Sequence, residues 1–149
     1  MNDCQIFFPL HDTGTDLLIT KGKKHIGIQV KELRSYKNRN RISENSFHQI
    51  SKNKFKSLET VDFFYVFVTY IPKDGERKFE KKFLIVPSTE LAERVKAKDQ
   101  GEKYFFYFDF DQKNVVTDIR KSKKPTKEKE LTNYSKFLNA WHLIENALI

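Results

Sequence analysis

An aspartate at position 16 and a glutamine and a lysine at positions 29 and 31 are the residues whose types and spacing could do chemistry. Asp16 follows Gly14 and Thr15 and opens the apolar run 16–20 (DLLIT). Gln29 and Lys31 lie in the alternating run 25–33 (HIGIQVKEL), and Lys21, Gly22, Lys23 and Lys24 turn the chain between the two. If the runs are adjacent antiparallel strands, Asp16 at the start of one comes near Gln29 and Lys31 toward the end of the other. A carboxylate oxygen beside an amide oxygen can hold a hard cation such as Mg2+, which clamps a phosphate and lowers the pKa of a bound water. A nearby lysine can position that water or stabilise charge developing on the phosphate. Each residue also has a plainer reading: Asp16 as a turn-capping residue, Gln29 and Lys31 as the solvated face of an edge or half-covered strand. The spaced set favours a site, because Ile26, Ile28 and Val30 take one face of the strand and leave Gln29 and Lys31 together on the other.

The elements that must position these residues can be read along the chain. Residues 4–10 form a short apolar strand ended by Pro9, and residues 11–15 turn the chain into the DLLIT strand. Residues 34–56 are polar and basic; Ser43 as an N-cap, with Phe47, Ile50 and Phe55 loosely at helical spacing, predicts a helix there. Residues 61–71 are aromatic and β-branched, the stretch 72–75 (PKDG) signals a turn, and residues 79–86 return as a strand, which predicts a hairpin with a long loop. Ser88 caps a helix with Glu90 and Glu93 early, Lys96 and Lys98 late and Gly101 beyond its end. Residues 104–110 and 114–119 flank Asp111, Gln112 and Lys113 as a second hairpin. A charged linker over about residues 120–130 then leads to a C-terminal helix with Tyr134, Phe137, Leu138, Trp141, Ile144 or Glu145, and Leu148 on one stripe, so Trp141 is expected in the core. Strands and helices mixed in this order predict one α/β domain over residues 1–149.

Composition narrows the function classes. The chain has 149 residues, with 28 Lys and Arg against 20 Asp and Glu, a formal charge of +8. Its 38% hydrophobic residues, with 14 Phe and 6 Tyr, are enough to close a core. The apolar run 61–71 contains Asp62 and falls short of the roughly 20 residues that cross a bilayer. The N-terminus has no pattern of a signal peptide, and Cys4, the single cysteine, cannot form an intrachain disulfide or build a zinc finger with four scattered histidines. A cytoplasmic protein is expected, with an anionic partner, nucleic acid before membrane. Residues 31–41 (KELRSYKNRNR) carry Lys31, Arg34, Lys37, Arg39 and Arg41 against Glu32, and read either as a groove wall for phosphates, with Tyr36 stacking on a base, or as a solvated loop. Lys52, Lys54 and Lys56 would prolong that surface on one side of an extended segment. The aromatic runs 63–65 and 104–110 lack interleaved Lys or Arg and read as core.

Asp16 followed by Gln29-x-Lys31 resembles the D…(D/E)xK motif of the PD-(D/E)XK nuclease superfamily, and the order of elements through about Val86 is similar. The resemblance implies a restriction-endonuclease-like mixed β-sheet flanked by helices and a Mg2+-dependent endonuclease that hydrolyses DNA, with Mn2+ as a substitute. It further implies that Asp16 binds the metal, Gln29 takes the second ligand position, the Val30 backbone carbonyl completes the metal shell, and Lys31 is the catalytic lysine. Thr15 stands where the family has Pro, Gln29 where most members have Asp or Glu, and the family's leading helix is absent ahead of the first strand. Asp12 could compensate for the missing carboxylate, and a homodimer could supply the missing helix or cut both strands. The alternatives are a non-catalytic nucleic-acid-binding module on a degenerate nuclease fold, and a protein-interaction domain.

Overall fold

The computed structural model describes residues 3–11, 13–37, 43–57, 62–73, 78–96, 101–120 and 128–149. Strands β1 (Cys4–Phe7), β2 (Leu17–Lys21) and β3 (Lys24–Arg34) form an antiparallel meander, as the three early apolar runs lead one to expect. The next strand beside β3 is β6 (Phe63–Pro72), and it runs parallel to β3, with Gln29 opposite Tyr65 and Lys31 opposite Phe67. β7 (Phe79–Pro87) pairs antiparallel with β6 and completes a mixed five-stranded sheet in the order β1-β2-β3-β6-β7. β6 is apolar on both faces because both are covered: Phe63, Tyr65 and Phe67 look to one core, and Phe64, Val66 and Val68 to another.

The crossover from β3 to β6 departs from expectation. Instead of a helix over residues 34–56, its described residues form β4 (Tyr36–Lys37), β5 (Glu44–Ser51) and a short helix, α1 (Lys52–Ser57). Consequently Lys52 and Lys54 lie on a helix rather than along an extended segment, and Lys52 reaches over the Tyr104 ring. From Ser46 on β5 alternates, with Ser46, His48 and Ile50 buried, and Asn45 before them is buried as well; polar residues at inward positions disguise a two-residue period as no period at all. β4 and β5 join β8 (Lys103–Phe110) and β9 (Val116–Asp118) in an antiparallel sheet ordered β4-β5-β8-β9. The β8–β9 hairpin and the helix α2 (Ser88–Lys96) stand where the sequence predicts them.

The result is a mixed α/β architecture with a mostly sheet core. One face of the first sheet is covered by the second sheet together with α2, burying Tyr65, Phe67, Phe106, Phe108, Leu84 and Leu91. The other face is covered by the chain's last turns, with Ile144 and Leu148 packed over Ile26, Ile28, Phe64 and Ile85. Those turns are not one helix. After α3 (Glu128–Thr132) come a 3-10 turn over Ser135–Phe137 and a separate helix, α4 (His142–Ala147). Asn139 breaks the run: its φ of 52° is left-handed, its N–H donates to the Phe83 carbonyl at 2.7 Å, and its side-chain Oδ1 accepts the Phe83 N–H. Trp141 is 43% exposed and rests against Phe83 instead of filling the core.

Asp12, Arg39, Arg41 and Lys98, the side chains of Lys37 and Lys56, residues 74 and 75 of the expected turn over 72–75 and the stretch 121–127 of the expected linker lie outside the described residues or side chains.

Candidate active site

Gln29 and Lys31 project from the face of β3 that looks toward the second sheet, since Ile26, Ile28 and Val30 pack in the opposite core. Gln29 is 3% exposed and Lys31 half-buried, so this is the covered face of an interior strand rather than a solvated edge. Gly27 shares the face with them. A Cβ there would stand 2.6 Å from the Phe63 ring, so the packing of that ring over β3 depends on glycine.

Asp16 sits just before β2, opposite Gln29, and is tied to β3 on both sides of it. Its N–H donates to the Ile28 carbonyl at 2.8 Å, and its Oδ2 accepts the Val30 N–H at 2.6 Å. The carboxylate itself is exposed. The N–H and C=O of one strand residue leave on the same side. The even-numbered residues of β3 turn theirs toward β2, as Ile28 does, and the odd-numbered ones toward β6, as Gly27 does in donating to the Asp62 carbonyl. The Val30 carbonyl therefore leaves toward Asp16, beyond the last β2–β3 ladder pair, Leu17–Ile28.

The strand register sets Asp16 and the Val30 carbonyl beside the Gln29 backbone, with the Asp16 carboxylate exposed and the Gln29 amide on the covered face. The Gln29 Oε1 is buried with no hydrogen-bond partner. An orphaned buried amide oxygen costs about 1–3 kcal/mol, and carboxylate, amide and carbonyl oxygens are the donor types that a hard divalent ion takes. No group of three or more His, Cys, Asp or Glu side chains is placed to share a metal among the described residues.

Sequence reasoning missed His48. It comes from β5 on the facing sheet, its ring 5.2 Å from Phe67 and 5.8 Å from Phe108, and Phe67 is the cross-strand neighbour of Lys31. His48 is 4% exposed and its Nε2 is buried without a partner. Burial holds its pKa down at about 4, with the positive charge of Lys31 adding to the effect, so the imidazole is neutral at physiological pH. The only sequence signal for it would have been the strand period of β5. Below it the Thr69 hydroxyl donates to the Ser46 hydroxyl at 3.0 Å, another polar contact between the two sheets.

The basic residues do not all join this site. Arg34 extends from the opposite face of β3, where its guanidinium lies 4.9 Å from the Phe79 ring. Tyr36, 49% exposed, has moved with Lys37 to the edge of the second sheet. Asp109 and Asp111 are engaged elsewhere, the first accepting the Ser43 hydroxyl and the second capping its own turn through the Lys113 and Val115 N–H groups.

No family model matches the chain, and no curated protein and no solved structure matches it either.

Proposed function

We propose that this chain is a divalent-metal-dependent phosphodiesterase that cleaves DNA, built on a restriction-endonuclease-like sheet. The observation that carries the reading is the tie of Asp16 to β3 on both sides of Gln29, a residue whose buried amide oxygen lacks a partner. The antiparallel pairing of β2 and β3 supports it, since the D…QxK spacing needs those two strands side by side.

Asp16, Gln29 and the Val30 carbonyl would hold Mg2+ or Mn2+, which when bound supplies positive charge to the phosphate and acidifies a coordinated water. Lys31 would supply a donor to the attacking water and offset charge that develops on the phosphate oxygens. Asp16 can hold its orientation without reorganising, because the Val30 N–H already fixes one oxygen. Neutral His48 packs the far side of the Lys31 neighbourhood without bringing a competing charge. With a neutral amide at the second position, affinity for the cation is weak until substrate phosphate adds its own oxygens.

The test is titration of Mn2+ into wild-type protein and into Asp16→Ala, with and without a phosphorothioate duplex, followed by a cleavage assay on the unmodified duplex. Metal heat and cleavage that both vanish in Asp16→Ala support the reading. Absence of metal heat in wild type, even with the duplex present, overturns it. A second reading, nucleic acid held without cleavage, is favoured by the neutral amide of Gln29 at the second position and would show as binding that ignores EDTA.

A further inference from the structure

On the outer face of the second sheet, away from Asp16, three aromatic rings form a continuous surface. β8 alternates, so that Phe106, Phe108 and Phe110 fill the core while Phe105 and Tyr107 point outward. Across the ladder Phe47 of β5 stands directly opposite Tyr107 and diagonal to Phe105. Its ring is 4.8 Å from Tyr107 and lies nearly parallel to Phe105, at 17° and 5.7 Å. All three are half-buried.

A cation is fixed over these rings. The Arg120 guanidinium lies 4.7 Å from the Phe105 centroid and 5.9 Å from that of Tyr107. Its backbone is pinned there, because the buried Asp118 Oδ1 accepts both the Arg120 N–H and the Tyr107 N–H, while the Ile119 N–H donates to the Tyr107 carbonyl. Lys103 shares the outward register of β8 and is exposed. The interleaving of aromatic and basic side chains that the β8 sequence lacks on its own is thus supplied by the end of β9 and the neighbouring strand.

We propose that this face is a stacking platform for single-stranded nucleic acid. Every base has a π-face, and stacking on an aromatic ring is worth enough to matter without sequence readout. Arg120 and Lys103 supply the charge that the intervening phosphates need, on a chain that carries +8 overall. The ligand is single-stranded because bases in a duplex are already stacked on one another and cannot lie flat on a sheet. The surface does not depend on metal or on cleavage, so it stands or falls apart from the Asp16 site.

Fluorescence anisotropy tests it with labelled oligo-dT and oligo-U of 12 to 15 nucleotides, on the full chain with EDTA present, against a duplex of equal length. Tyr107→Leu and Phe105→Leu keep apolar bulk on the sheet and remove the ring; each should weaken single-strand binding about tenfold. Arg120→Gln should weaken it and reduce the salt slope by about 0.7. Thermal melts of the same variants confirm that they are folded. The proposal is overturned by single-strand affinity no greater than duplex affinity, by folded Leu variants that bind like wild type, or by no binding at low salt. Comparison of the two oligomers tells DNA from RNA.

Discussion

The Asp16 carboxylate accepts the backbone N–H of Val30 at 2.6 Å, reaching across the end of β2 to the strand that carries Gln29 and Lys31. One side chain therefore has a structural and a chemical duty, and the two can be separated. Asp16→Asn keeps an acceptor for Val30 and should change unfolding free energy by less than about 1 kcal/mol, whereas Asp16→Ala should cost about 1–2 kcal/mol, the value of a hydrogen bond to a charged group at a partly solvated site. Both should abolish Mn2+ binding and cleavage. Urea denaturation beside calorimetry checks this, and retained metal binding in Asp16→Asn would remove the carboxylate from the site.

His48 makes stability depend on pH in a defined direction. Its folded pKa, near 4, is below the 6.5 of an unfolded histidine, so the unfolded chain binds the extra proton first. The stability involved is fully present above pH 6.5 and is lost as pH falls toward 4, by about 3 kcal/mol. His48→Phe should flatten urea-denaturation midpoints between pH 6.5 and 4.5 relative to wild type. Lys31 contributes to the depression, so Lys31→Met should raise the His48 pKa as read by NMR, while also reducing cleavage.

How much of this was legible before the structure differs from strand to strand. β3 could be read because its two faces have opposite chemistry, apolar at Ile26, Ile28 and Val30 and polar at Gln29 and Lys31, and that alternation survives in the folded chain. The outcome at Gln29 could not be read, since a polar face looks solvated in sequence and only the second sheet makes it interior. β5 was illegible for the related reason that Ser46 and His48 point inward, where a pattern search expects apolar residues. The C-terminal stripe misled because Tyr134, Phe137, Ile144 and Leu148 are all buried, but by three separate turns that Asn139 clamps to β7.

Gly27 tests the packing behind the site. The missing Cβ would fall 2.6 and 2.8 Å from two carbons of the Phe63 ring, which is itself wedged against Tyr65. Gly27→Ala should therefore destabilise the fold by about 1–3 kcal/mol through overpacking. Pairing it with Phe63→Leu should recover part of that loss in a double-mutant cycle; additive costs would mean that the ring is not the obstacle.

Arg94 carries the junction between α2 and the chain's last turns. It is 5% exposed, and its Nη1 is shared among the carbonyls of Glu130, Leu131 and Asn133 at 2.8 to 3.1 Å. Its guanidinium also lies over the rings of Tyr134 and Phe137, and Glu90 stands 3.9 Å away. Arg94→Met fills much of the same volume but leaves three carbonyls without their donor, and should cost about 3 kcal/mol. Arg94→Lys keeps the charge yet cannot present a planar group to both rings, and should recover only part of it. Because α4 covers the core behind β3 rather than the Asp16 face, a folded Arg94→Met protein at low temperature should still bind Mn2+. Parallel loss of metal binding and melting temperature would show instead that the last turns hold β3 in place.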